Sequence, residues 1–537
     1  MKKLVVILLL LLTVLMLTGC SNEKPAATTQ SAPKVATSAP DTNEKAHLNF
    51  GCYNFSDSID PAQNTNSAWN GTRFGVVECL FRFNAQVQAE PYLVESYKSS
   101  DDYTTWTLVL KPDLLFSNGN PVNATAVKNS LDRLYTATNP EKGGKGTSTP
   151  QHFLDITSVE ANDDTREVTI HCAQPVFNMD GNLSYPFFGI VDTTVVEDQI
   201  VGTGPYKVDS SQDGIGYELS ANPHYHAGEV PFDTLSVIFI DDSNTKALAL
   251  QKGDVDVVEN ITTAGDLEKL AKIENIHISE APGVRLGHAY MNPNGPLSNI
   301  ELRKAILMGI DNDIICEKVV GGMYTSGFSV LPSSLAYNYN KLNNPFSYQP
   351  EKAKETLDAA GIVDTDGDGV RELNGKNLEL FYITYPSRGL NDFAEAISLQ
   401  LADIGIKVTV ESYDYDTAAK MSKEKQYDFS SSNATTVGTG DPQDFLHNWY
   451  DVANSHPTHY GSEEYDVLYE KLMNTPDKEE RVAIITDIQQ LLIDAAANIV
   501  HGYFNSRMIS NSDKVINAEI ASVDYYWITD QIKPVSK

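Results

Sequence analysis

Residues 100–124, SDDYTTWTLVLKPDLLFSNGNPVNA, decide how the chain is read. At 105–111 (TWTLVLK) polar and apolar side chains alternate. Trp106, Leu108 and Leu110 share one face, the period of a half-buried strand. Over 121–134 the period changes, and Val127, Leu131 and Leu134 recur at helical spacing. The same exchange of periods continues outward. Residues 235–241 and 254–258 read as short strands. Ser298-x-x-Glu301 has the form of a capping box ahead of Leu302, Ala305, Ile306 and Met308. A helix over 350–360 has Pro350 at its start and Gly361 just past its end. Another over 393–404 leads into a strand at 407–411, with Val408 and Val410 on one face. A late amphipathic helix over 479–497 turns Val482, Ile485, Leu491, Leu492 and Ala495 to a core. Strands and helices mixed in this way indicate an α/β protein. No internal repeat is visible.

The N-terminus carries a different message. Lys2 and Lys3 precede an apolar run at 4–17, the length of a signal-peptide core and short for a membrane span. Leu17-Thr18-Gly19-Cys20 then places small residues before a cysteine, the pattern of a bacterial lipobox. The expectation is a signal peptide at 1–19, cleavage, and lipidation of Cys20 at the outer face of the bacterial cell membrane. Residues 20–46, rich in Ala, Thr, Ser and Pro, read as a flexible tether. The roughly 490 residues beyond exceed one hydrophobic core, so two or three subdomains are expected. With 72 acidic against 40 basic residues, a formal charge of -32, and no basic stripe, nucleic-acid binding is disfavoured. Cys52, Cys79, Cys172 and Cys316 are widely spaced, which argues against a zinc module or a disulfide-dense scaffold.

No nucleophile elbow, zincin helix, P-loop or dinucleotide fingerprint is present, so no enzyme is expected and no cofactor is implied. Asp364, Asp366 and Asp368 with Gly369 resemble the start of a calcium loop, but Gly375 stands where a bidentate Glu belongs. A Gly/Asp-rich surface turn is the other reading. His447, His456 and His459 cluster near Asp441, Asp444 and Asp451, as metal ligands or as solvent-exposed loop residues. Tyr and Trp often stand beside Asn, as in Tyr53-Asn54, Asn448-Trp449-Tyr450 and Tyr503-Phe504-Asn505, and such clusters suit a polar-apolar cleft or a core.

Several blocks, in order, resemble one family: Ser58-Ile59-Asp60-Pro61; Glu90-Pro91 to Tyr97; the opening stretch 100–124; Gly202-Thr203-Gly204-Pro205-Tyr206; Gly253-Asp254; Leu302-Arg303-Lys304-Ala305-Ile306; Pro350 to Ala353; Tyr427-Asp428; Asp441-Pro442. Across residues 48–537 the chain resembles the family 5 extracellular solute-binding proteins, the peptide- and nickel-binding components of ABC importers. The resemblance implies a two-lobed, type II periplasmic-binding-protein-like fold with an extra subdomain, acting as a monomer with ABC permease subunits. Lobe one would be residues 47–283, with the subdomain at about 73–195, and 506–537. Lobe two would be 284–505. Hinges would lie near 282–291 and 502–507. Carried over by position, ligand contacts would come from Asn54, Phe55 and Ser56; Tyr290 and Asn292; Asn433, Thr435, Thr436, Val437 and Gly438; and Trp449 and Tyr503. Peptide binders place an amine-anchoring carboxylate where this chain has Gly438. Nickel binders carry Arg where it has Tyr185, although the ending Tyr526 to Val535 looks closer to that branch. Short peptides are the leading expectation. A nickel chelate, with His447, His456 or His459 ligating, is the alternative, and an exported hydrolase a distant one.

Overall fold

The computed structural model describes residues 46–196, 199–450 and 462–536. Cys20, His456 and His459 lie outside them. The opening stretch forms the strand Thr105–Leu110, whose burial alternates as expected with Trp106, Leu108 and Leu110 inside. It is the second strand of a four-stranded antiparallel sheet with Val94–Ser99, Glu167–Cys172 and Ile156–Asn162. The helix Ala124–Ala137 follows, capped by the Asn123 side chain, which accepts from Ala126 N–H. Val127, Leu131 and Leu134 meet Leu108, Val168 and Ile170 in one core. Each such side chain contributes about 1.5–3 kcal/mol through burial.

The larger sheet has eleven strands, and its path exchanges distant parts of the chain. On one side His47–Cys52 lies parallel to Thr234–Phe239 and to Val257–Glu259. On the other, Glu379–Thr384 lies parallel to Lys407–Ser412 and Phe429–Thr435. Two long antiparallel strands join them, Ile276–Met291 and Asn498–Asn511. These strands supply residues to separate cores at their two ends. Met508 packs with Phe50, Val237 and Trp527, whereas Ala289, Met291 and Ile499 pack with Ile306, Leu357 and Ile397. The register slips between Pro282 and Arg285 and again between Gly287 and His288. Such bulges bend a strand and re-aim its side chains. The large sheet therefore has a separate core at each end, with backbone passing between these two halves along two strands.

Two local expectations shift. The helix Ile300–Met308 starts at Asn299, which accepts from Glu301 and Leu302 N–H, while Ser298 turns back to the Gly295 carbonyl. Asn with its cap oxygen one residue later outcompetes Ser298. The late helix runs Lys478–Asp494 and buries Arg481, Ile484, Ile485, Ile488 and Leu492, leaving Val482 and Leu491 half-buried. Cys52, Cys79, Cys172 and Cys316 are free and buried. No described helix is long and apolar enough to cross a membrane.

Candidate functional site

Between the halves, three arginines from distant segments converge on aromatic faces. Helix Thr65–Arg73 opens with a capping box between Asn64 and Ser67. Trp69 and Arg73 are four residues apart and so share a face. Fully buried, the Arg73 guanidinium lies 4.2 Å from the Trp527 ring, 5.0 Å from Trp69 and 5.0 Å from Phe55. Its Nη2 donates to Asp524 Oδ2 at 2.7 Å and its Nε to the Asp524 carbonyl at 2.8 Å, but its Nη1 has no partner. From the other half, Arg285 stands at the strand bulge with its guanidinium 5.4 Å from the same Trp69 ring. Its Nη1 reaches Asn433 Oδ1 at 3.5 Å, and its Nη2 is buried without a partner. Arg388 lies 5.4 Å from the Phe504 ring and 6.0 Å from Phe55.

Arg388 has φ +44°, a left-handed conformation that costs a non-glycine residue about 1–3 kcal/mol. Tyr324 secures it by donating to the Arg388 carbonyl at 2.9 Å, and Asn433 Nδ2 donates to Tyr324 Oη at 2.8 Å. Burial, and then the like charge of Arg285, push the Arg388 guanidinium down to about 10. Burial alone would raise the Asp524 carboxyl, but Arg73, Arg285 and Arg388 together hold it below its ordinary value. Among the described residues, Arg73–Asp524 is the one ion pair these guanidiniums form. The seam between the halves that these groups line, hereafter the crevice, thus carries excess positive charge among aromatic rings.

The expected contact residues divide. Phe55 and Asn433 stand in this crevice, and Thr435 is the cross-strand neighbour of Arg285, its Oγ1 buried without a partner. Asn54 and Ser56 shape the loop beneath: Asn54 Nδ2 donates to Asp57, and the Ser56 carbonyl accepts from Asn70. Others are placed elsewhere. Asn292 binds the Tyr427 carbonyl at a strand end. Tyr290 and Trp449 pack around His288. Tyr503 is buried and donates to the Ser329 carbonyl. Thr436 donates to the Val284 carbonyl, and Val437 is core. His447 is exposed at the end of a short helix, beside Tyr450 and Tyr469.

Gly438 has a plain structural reason to be glycine. A Cβ there would stand 3.1 Å from Tyr525 Oη and 3.2 Å from Tyr185 Cε2, and the Gly438 carbonyl accepts from Tyr525 Oη at 3.2 Å. Two aromatic rings fill the space in which a side-chain carboxylate would stand. Nearby, Gly181 brings its helix against the Thr439 carbonyl, which accepts from Asn178 Nδ2 at 2.8 Å, so segment 438–441 is packed against both Tyr525 and the small subdomain. In the acidic loop, Asp364 and Asp366 come together with Glu372, not with Asp368.

Arg73, Arg285, Arg388 and Asp524 escaped the sequence reading. The one available signal was Trp69 and Arg73 at helical spacing.

The family model for bacterial extracellular solute-binding proteins, family 5 Middle, matches residues 88–457. A probable D,D-dipeptide-binding periplasmic protein, DdpA, of Escherichia coli is 25% identical over 438 residues, covering 78% of this chain and 80% of that one. The nickel-binding protein NikA of Staphylococcus aureus is 24% identical over 463 residues, covering 85% and 88%. The structure of DppA from Helicobacter pylori with the peptide STSA superposes with a TM-score of 0.73 at 22% identity, covering 91% of this chain and 98% of that one. The architecture is that of type II periplasmic binding proteins, α/β with a large mixed sheet.

Proposed function

This chain belongs to the bacterial extracellular solute-binding proteins of family 5, and on that premise we propose that it is the capture subunit of an ABC importer, holding a short peptide by its carboxylate between two closing lobes. The observation that carries the reading is the convergence of Arg73, Arg285 and Arg388 on one crevice between the halves. A ligand touching Arg73 on one side and Arg285 and Arg388 on the other favours the closed state, because those contacts exist together only when the crevice is shut. The lobes are residues 47–283 with 506–537, and 284–505. The long strands are the natural hinge, since their bulges already interrupt the ladder. The protein releases its cargo unchanged, works as a monomer with membrane permease subunits, and is tethered through lipid on Cys20.

A second reading, a metal chelate, rests on the same arginines, which would grip the chelator's carboxylates rather than the metal. His447 stands outside the crevice, so the metal itself would take no ligand from it.

Trp69 and Trp527 flank Arg73, so tryptophan fluorescence reports on the crevice. Titration with a short-peptide library and its C-terminally amidated twins tests the proposal. Peptides with a free carboxylate should bind, and amidation should weaken them by about 10–100-fold, the loss of one charge-assisted contact. Equal binding of both sets, or of neither alongside carboxylate chelates of nickel, defeats it.

A further inference from the structure

The charge count of the crevice says more than that it takes a carboxylate. Three guanidiniums face one carboxylate, so two positive charges stay without a counter-ion. The surroundings supply none. Glu259 is taken by Lys246 at 2.6 Å. Arg507 is taken by Glu280. Asp441 is held by Arg481 at 2.9 Å. Asp241 accepts from the Asn54 backbone at an exposed loop. Asp444 is exposed and lines a separate pocket with His152, Asp441 and Arg481.

The unspent hydrogen-bonding capacity points the same way. Arg73 Nη1 and Arg285 Nη2 are buried donors with no acceptor, and both guanidiniums lie against the one Trp69 ring. A buried donor left unpaired is costly, and a charged one more so. Arg73 is wholly buried, so water at the surface cannot relieve it. Three residues beyond Thr435, the carbonyl of Gly438 is engaged by Tyr525, and rings occupy the space a side-chain carboxylate there would need. A free ammonium would meet excess positive charge and no carboxylate partner.

We infer that the cargo is a compact dianion: a small solute with two acidic groups, one toward Arg73 and one toward Arg285 and Arg388, and no ammonium needing a counter-charge. An acidic peptide blocked at its amine and a polycarboxylate share this chemistry. The inference rests on the proposed capture role and narrows its ligand.

The test uses the mature chain and tryptophan fluorescence at low and physiological salt. Probes are N-acetyl-Ala-Glu, malate with and without nickel, Ala-Ala, and N-acetyl-Ala-Ala. We expect the doubly acidic probes to bind at least about 100-fold more tightly than either alanine peptide, each extra charge-assisted pair being worth about tenfold or more. N-acetyl-Ala-Glu against malate identifies the source of the dianion, and an effect of nickel on malate alone identifies a chelate. Arg285→Gln, at a half-buried site, should narrow the preference for dianion over monoanion by about tenfold while leaving the unfolding midpoint within error. Ala-Ala binding as tightly as the dianions overturns the inference and leaves the capture role standing. Silence from every probe, together with no small molecule released on denaturing the native protein, overturns the capture role itself. An unchanged preference in Arg285→Gln also refutes the two-point grip.

Discussion

Two charged regions of this molecule invite opposite conclusions. The loop at 364–372 is dense in acid, and Asp364, Asp366 and Glu372 come together, yet each of its carboxylates already accepts a backbone N–H. Asp364 accepts from Gly367 and Gly369 N–H at 2.7 and 3.0 Å, Asp366 from Asp368, Asp368 from Val370, and Glu372 from Thr365. The crevice holds fewer charges, but two of its guanidiniums end in buried nitrogens with nothing to bind. What marks a binding site here is unspent capacity, not charge density. A loop that satisfies itself has little to offer a ligand.

The sharpest way to break that contrast is at Arg73. Arg73→Met removes the ion-pair partner of buried Asp524 and leaves it only the more distant charges of Arg285 and Arg388, which should cost about 3 kcal/mol in urea unfolding. Adding Asp524→Asn to Arg73→Met should recover a substantial part, because the cost lies in the stranded charge. If the double variant is as unstable as the single, the pair is not the anchor of the crevice.

His288 extends the comparison to unspent capacity without charge. It is wholly buried among Tyr290, Phe445 and Trp449, and neither ring nitrogen has a partner. Burial lowers it from 6.5 to about 3. The unfolded chain therefore takes up a proton below pH 6.5 while the folded protein refuses one until about pH 3. Stability is full above pH 6.5 and drains as pH falls toward 3. From pH 7 to 5 this one group should remove about 2 kcal/mol. His501, lowered to about 3 by burial and then by His288, adds in the same direction. His288→Leu should flatten the pH dependence of the unfolding midpoint and leave dianion affinity alone. An unflattened profile would relocate the acid sensitivity.

A smaller effect separates shape from charge at the 438 position. Gly438→Ala sets a methyl 3.1 Å from Tyr525 Oη and 3.2 Å from Tyr185, and those rings must yield by a few tenths of an ångström. We expect a cost of about 1 kcal/mol in stability. No gain in affinity for free-amine peptides should follow, and such a gain would show that an ammonium does visit this segment.

The parts of the fold that were legible are those governed by short spacing. Trp106, Leu108 and Leu110 alternate because a strand places every second side chain on one face, and the core of the first sheet follows. Sequence alone places the start of the helix one residue before Asn299 because Ser298 and Asn299 both make good caps, and the Gly295 turn decides between them. The family resemblance brought Phe55 and Asn433 to notice, and they lie beside Arg73 and Arg285 respectively. The arginines were invisible for a physical reason. Arg73 meets Asp524 across 451 residues of chain, and Arg285 and Arg388 are carried in by a strand bulge and a left-handed turn. No local period encodes such meetings; they exist only once both halves have folded.

The acidic loop supplies the gentlest test and the cleanest control. Asp364→Asn keeps a side-chain acceptor for one of the two N–H groups and surrenders the other to solvent, at an exposed position. Surface changes of this kind usually stay within about 0.5 kcal/mol. If these backbone hydrogen bonds hold the carboxylates against a cation, millimolar calcium should leave the melting temperature of the native protein unmoved, and Asp364→Asn should leave it equally unmoved. A calcium-dependent rise that disappears in Asp364→Asn would mean that the ion can buy these oxygens away from the backbone. Occupied acceptors would then no longer argue against a site, and the crevice would have to be defended on its excess charge alone.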